Sequence, residues 1–197
     1  MFGNGLVSSF SFIAFVAVIV VLVLLVTRRS LSERRSVTQI VARALLVLYL
    51  GLIIGATFSP QPGHGWGIVS EPGGLKIAPN QVPFRTIAAM FRYSSALTIV
   101  RELGGNIVVF MPFGVLLGLV FPSLATWRRI ALAGVLFSAS IELGQLVVSL
   151  SLGFTYRYTD IDDVILNVVG VLLGFALDRY ARRRSEPADA DRGAEPA

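Results

Sequence analysis

Five stretches of this chain are apolar for long enough to approach the width of a lipid bilayer, and nothing else in the sequence restricts the fold as much. They cover residues 10–26, 41–58, 106–121, 130–152 and about 160–180. A bilayer core of about 30 Å calls for roughly 20 apolar helical residues. Within it each backbone N–H and C=O has to be satisfied inside the segment, which a helix does. The expected fold is therefore all-α: an integral membrane helical bundle of about five transmembrane helices. Composition adds little by itself, because 54% apolar residues lies only modestly above the roughly 45–50% of soluble domains.

The division of the chain follows from these runs. Residues 1–40 hold the first helix and a basic linker, 41–180 the main transmembrane domain, and 181–197 a tail that opens with Arg182, Arg183 and Arg184 and has no apolar run, expected to be disordered and cytoplasmic. The first run has its basic residues behind it (Arg28, Arg29, Arg34, Arg35), unlike a signal peptide, so it reads as a retained helix. Twelve of the seventeen basic residues fall in segments 27–43, 122–129 and 179–197. By the positive-inside rule these segments are cytoplasmic, which puts the N-terminus outside and the C-terminus inside a bacterial multi-pass membrane protein. The net charge of +5 is thus an orientation signal and not a nucleic-acid footprint. With no cysteine, disulfides and thiolate chemistry drop out. His64 sits among Gly and Pro in 59–67 and reads as a loop residue.

Between the second and third runs, Phe84, Ile87, Ala88 and Phe91 recur at helical spacing with Arg85 and Arg92 beside them. A short helix at the membrane surface has this pattern. Pro112 kinks the third helix and frees one carbonyl that needs another partner. Gly114-x-x-x-Gly118, like Gly51-x-x-x-Gly55, allows a close helix approach.

The polar residues inside the apolar runs carry the functional expectation. Ser138, Glu142, Gln145 and Ser149 form one stripe on the fourth helix. On the fifth, Asp160, Asp163, Asn167, Gly170 and Gly174 share one face, while Val164, Ile165, Val168, Leu172 and Phe175 are assigned to the other. Asn106 opens the third run. Asp160 and Asp163 are expected at the outer ends of the helices, with Glu142 about 15 Å and Gln145 about 10 Å below the end of the fourth at 1.5 Å per residue. A carboxyl near the bilayer centre costs roughly 2.5–3.5 kcal/mol unless paired, hydrated or neutral, and Arg157 is the nearest partner in sequence. Two plain readings stand beside a functional cleft. Glu142, Gln145 and Asn106 serve equally as interhelical glue, and the acids as helix caps, with Thr159 and Asp162 spaced as a capping box.

Three motifs in order carry a family resemblance: Asn106-x-x-x-Phe110-x-Pro112-Phe113-Gly114, Ile141-Glu142-x-x-Gln145, and Arg157-x-x-Asp160-x-x-Asp163-x-x-x-Asn167-x-x-Gly170. Asn80-x-x-Pro83-Phe84 adds a fourth. Over about residues 45–180 the chain resembles the VanZ-like membrane family. The resemblance implies a small bacterial cell-envelope protein, whose namesake is associated with tolerance of the lipoglycopeptide teicoplanin.

Three functions stay open. The first is an outer-leaflet polar cleft formed by Asn106, Glu142, Gln145, Arg157, Asp160, Asp163 and Asn167. It would bind membrane lipids or a glycopeptide-like amphiphile, with Arg157, Arg85 and Arg92 meeting an anionic head group and Pro112, Gly114, Gly170 and Gly174 as scaffold. The second is a membrane enzyme acting on a phospholipid or isoprenoid phosphate, in which Glu142, Asp160, Asp163 and Asn167 offer oxygen ligands suited to Mg²⁺ or Ca²⁺. No cofactor is otherwise indicated. The third is a small proton-coupled transporter with Glu142 titrating.

Overall fold

The computed structural model describes residues 36–58, 79–152 and 157–185. The first apolar run, residues 10–26, and residues 186–197 of the tail lie outside them, as do His64 and most of the segment around it. The described chain is helical throughout: α1 (Val37–Phe58), α2 (Arg85–Tyr93), α3 (Ala96–Val120), a short 3₁₀ turn at Pro122–Leu124, α4 (Trp127–Leu152) and α5 (Ile161–Ser185). Among the described residues, α1, α3 and α4 are long and apolar enough to cross a membrane. The fifth apolar run is α5, 25 residues long, with Asp162 and Asp163 in its first turn and Arg182, Arg183 and Arg184 in its last.

The helix starts follow local chemistry. The hydroxyl of Ser95 accepts the amide of Thr98 at 3.2 Å, which caps α3. Pro122 and the 3₁₀ turn close α3 and reverse the chain into α4. At the start of α5 the cap is Asp160, whose Oδ1 accepts the Asp162 amide at 2.9 Å. Asp162 is therefore released from the capping-box role that its spacing after Thr159 had suggested. Two boundaries moved furthest. The third helix begins at Ala96, ten residues before Asn106, because 96–105 is mostly apolar with small residues despite Arg101 and Glu102. The fifth runs to Ser185, five residues past the expected end, because Arg182–Ser185 continues the turn begun by Asp178.

The largest share of the packing is of α5 on α3. Lipid tails are as apolar as leucine, so helices in a membrane associate through close van der Waals contact more than through the hydrophobic effect. Glycine makes that contact. A Cβ added at Gly114 would strike the Val171 carbonyl, one at Gly170 the Ile107 carbonyl, and one at Gly174 the Met111 carbonyl. Around this seam Phe110, Phe113, Leu116, Leu117, Ile130, Ile141, Val171 and Phe175 form the core. Phe113 and Phe137 lie 4.7 Å apart between ring centroids. Phe175 corrects the expected division of α5, since it is fully buried. Val169, Leu173, Leu177 and Tyr180 are the exposed row instead, because Phe175 follows Gly174 and Val171 into the seam.

Proline at position 112 frees the Val108 carbonyl; the contact from α1 falls on its neighbour, where the Tyr49 hydroxyl donates to the Val109 carbonyl at 3.0 Å. The Tyr49 ring also stacks on Phe113 with centroids 6.2 Å apart. Tyr49→Phe is expected to keep the stacking and lower stability by about 0.6 kcal/mol, the usual worth of an interhelical hydrogen bond in a bilayer; unfolding in mixed micelles measures it.

Candidate functional site

The site is assembled where α2 and the start of α5 are locked to each other. Asn80 pairs with the Asp160 segment as an isolated parallel bridge. Its amide donates to the Thr159 carbonyl at 2.9 Å, and its carbonyl accepts the Ile161 amide at 3.0 Å. Its side-chain Nδ2 donates to Asp160 Oδ1 at 2.7 Å and to the Thr86 hydroxyl at 3.1 Å. The Thr86 hydroxyl in turn donates to Asp160 Oδ2 at 2.5 Å. Both oxygens of Asp160 are thus engaged within the protein.

Asp162 completes the lock. Helix α2 starts at Phe84, the one described non-glycine residue at positive φ, 65°, and Phe84 offers no side-chain cap. The Asp162 carboxylate takes that place. Its Oδ1 accepts the Phe84 amide at 2.5 Å, and its Oδ2 accepts those of Thr86 at 2.8 Å and Ile87 at 3.1 Å. A carboxylate at a helix N-terminus meets both the free amides and the positive end of the dipole. Asp162 is 1% exposed, the most deeply buried of the acids.

Glu142 reaches the same point from α4. Its Oε2 accepts the Asp160 amide at 2.9 Å, and among the described residues its other oxygen has no protein partner. This contact corrects the expected depth of the aspartates. Glu142 lies ten residues, about 15 Å, before the last residue of α4, so Asp160, at the start of α5, is level with the middle of α4 and not with its end. Asn106, equally ten residues into α3, donates to Asp163 Oδ1 at 2.7 Å. Helix α2 leads from this level toward the start of α3 and is anchored to the bundle at its N-terminus.

The remaining expected residues divide. Asn167 lies one turn further along α5, where its Nδ2 donates to the Ser138 hydroxyl at 2.9 Å. Its Oδ1 is buried without a partner among the described residues. Gln145 is buried on the same α4 stripe as Glu142. Arg157 does not pair with Glu142; its Nη2 donates to the Ala56 carbonyl in the last turn of α1 at 3.4 Å. A cation at a helix C-terminus is favourable there. Arg85 and Arg92 lie on the exposed side of α2, away from the carboxylates.

Asn80, Glu142, Thr159 and Asp160 form the polar wall of a hollow of about 320 Å³, whose other wall includes Leu143, Leu146 and Val164. Leu143 at its rim is 61% exposed, so the hollow opens on the apolar outer surface of the bundle. Among the described residues no group of three or more His, Cys, Asp and Glu is arranged to hold a metal ion. Asp160 is already saturated, whereas Asn167 gives only its Nδ2 to Ser138 and keeps Oδ1 without a partner among the described residues.

The sequence reading did not separate Asp162 from its neighbours, nor include Asn80, Thr86 and Ser138 in the site. For Asn80 a signal existed in Asn80-x-x-Pro83-Phe84. For Asp162 none did, since its partners lie 75 to 78 residues away.

The profile of the VanZ/LLP1 family matches residues 46–181. The chain belongs to that family. It is also 31% identical over 155 residues to Protein VanZ of Enterococcus faecium, covering 78% of this chain and 83% of that protein. No solved structure matches. The VanZ/LLP1 match contains every residue of the lock and of the hollow, and its boundaries fall within α1 and α5.

Proposed function

We propose that this VanZ/LLP1 protein is a cell-envelope membrane protein whose acidic hollow receives the polar head of a lipid or amphiphile from the outer leaflet, and that this underlies tolerance of a glycopeptide such as teicoplanin. The observation that carries the reading is the hollow itself: a carboxylate with one oxygen held and, among the described residues, one unengaged, behind an apolar mouth. An amphiphile entering sideways would lay its chain along Leu143, Leu146 and Val164 and present its head to Asn80 and Glu142. Pockets of this kind, mostly apolar with a few placed polar groups, are the usual form of a ligand site.

Charge refines the head group. Glu142 and Asp160 are the charged groups among the described residues that line the hollow, with Asp162 and Asp163 following on α5. This balance favours a head bearing N–H donors or positive charge over the anionic head that the arginines had suggested. The arginine distribution along the chain supports the outer-leaflet placement.

The test is glycopeptide susceptibility of a deletion strain complemented with wild type, Glu142→Gln or Asp163→Asn at matched membrane abundance. Glu142→Gln keeps an acceptor for the Asp160 amide and removes only charge, so the lock persists. Wild type is expected to restore tolerance and both variants to lose it. Binding of dodecylamine by purified protein should weaken about 10-fold or more in Glu142→Gln, the scale of one charge-assisted hydrogen bond. Variants indistinguishable from wild type in both assays would reduce these residues to structural roles.

A further inference from the structure

The opposite end of the bundle carries a second hollow, also about 320 Å³, lined by Gly118, Pro122, Ala125, Phe175, Asp178, Arg179, Arg182 and Arg183. Its chemistry is the reverse of the first. On α4 and α5 six arginines stand at this end, Arg128, Arg129, Arg179, Arg182, Arg183 and Arg184, against the single carboxylate of Asp178 on those helices among the described residues.

These arginines are not equivalent. Arg182 is held rigidly: its Nε donates to both oxygens of Asp178, at 3.0 and 2.9 Å, and its Nη2 to the Gly118 carbonyl at 3.1 Å. Asp178 is 7% exposed. It fits because residue 118 has no side chain; a Cβ there would come within 2.6 Å of Asp178 Oδ2. Arg179 lies over the Phe175 ring, 5.8 Å from its centroid. Arg184 is drawn away onto Tyr180 at 4.8 Å, and Arg129 is spent on the Ser123 carbonyl at 2.7 Å. Arg179, Arg182 and Arg183 therefore converge on the hollow, and one carboxylate leaves two positive charges uncompensated there. Among the described residues neither Arg179 nor Arg183 makes an ion pair.

Orienting a membrane protein needs only basic residues near the helix ends. It needs neither a buried carboxylate that clamps one guanidinium nor a hollow kept open by Gly118 and Ala125. A fixed guanidinium fork flanked by two others is the arrangement that recognises phosphate oxygens, through paired N–H donors. Basic pockets beside membrane helices take anionic lipid heads on the same principle. We propose that this hollow is a phosphate-binding site, filled by the phosphate of an anionic phospholipid head group or by free phosphate, and distinct from the acidic hollow at the other end.

Native mass spectrometry of the detergent-purified full chain tests this with phosphatidylglycerol, phosphatidylcholine and inorganic phosphate as probes. Phosphatidylglycerol is expected to be retained over phosphatidylcholine. The double variant Arg179→Gln/Arg183→Gln should weaken its retention about 10-fold, the scale of one lost charged contact. Arg128→Gln/Arg129→Gln, which removes the same charge at the same end outside the hollow, should leave retention unchanged. If the first double variant does not fold, the single change Arg183→Gln at an exposed position gives the same comparison. Displacement of the lipid by excess inorganic phosphate identifies free phosphate as an occupant; resistance to it identifies the lipid. Equal retention of both lipids, or equal losses in both variant pairs, overturns the proposal.

Discussion

Gly174→Ala is expected to cost about 3 kcal/mol of bundle stability, the upper part of the usual range for overpacking. The reason is what the new methyl group would meet. At most sites an added Cβ displaces a side chain that can rotate. At Gly174 it meets the Met111 carbonyl of the facing helix, and that backbone cannot yield without moving α3. Separating the helices would also open the contacts at Gly114 and Gly170, which belong to the same seam. The effect is therefore cooperative, and Gly170→Ala should behave alike. Gly104→Ala on α3 is the control, since nothing lies within 4 Å of a Cβ there. It should be neutral or stabilising by up to about 1 kcal/mol, the helix-propensity difference between the two residues. Titration of the three variants with SDS in mixed micelles gives the comparison. Equal midpoints for Gly174→Ala and Gly104→Ala would contradict the close approach of α3 and α5.

Asp162→Asn is expected to detach α2 from the bundle while leaving α3, α4 and α5 assembled. The carboxylate accepts three amides with two oxygens. The asparagine keeps one acceptor, and its NH₂ faces the donors left over. Lost charged hydrogen bonds and amides left unsatisfied each cost about 1–3 kcal/mol, so a local loss of roughly 3 kcal/mol is expected. Helix α2 has nine residues, too few to persist unaided in water, and Phe84 at positive φ adds strain that the Asp162 contact holds in place. Hydrogen exchange should quicken across residues 84–93, with α3 and α5 still protected. Unchanged exchange in α2 would show that Asp162 does not hold it. The variant also bears on the acidic hollow, because Asn80 and Asp160 belong to the same lock. Loss of dodecylamine binding by Asp162→Asn together with faster exchange in α2 would tie the hollow to the seating of α2.

What could be read in advance was whatever has a period or a composition. Runs of apolar residues marked α1, α3, α4 and α5, since a helix in lipid satisfies its own backbone and needs no distant partner. The four-residue spacing of Gly170 and Gly174, and of Gly114 and Gly118, announced a close-packing face, and Asn106, Glu142, Asp160 and Asp163 stood out as polar groups with no reason to face lipid. Other features were not legible because they depend on pairs far apart in the chain. Phe175 and Val168 look alike in a periodic pattern, and only the α3 backbone decides that Phe175 is buried. Thr159 and Asp162 have the spacing of a capping box, yet Asp162 turns to another helix because the Phe84, Thr86 and Ile87 amides lie within its reach. The level of Asp160 was misjudged because its contact with Glu142, in the middle of α4, depends on how two helices pack and leaves no mark in hydropathy.

The sequence by itself determined that this is a helical membrane protein of the VanZ-like kind with the cluster Asp160, Asp162 and Asp163 toward one end and most of its arginines toward the other, because apolar length and charge position act locally along the chain. Only the tertiary structure decided which acid is a cap, which is a clamp and which faces a hollow. A carboxylate's role is set by the donors that surround it, and for Glu142 and Asp162 those donors are supplied by other parts of the chain.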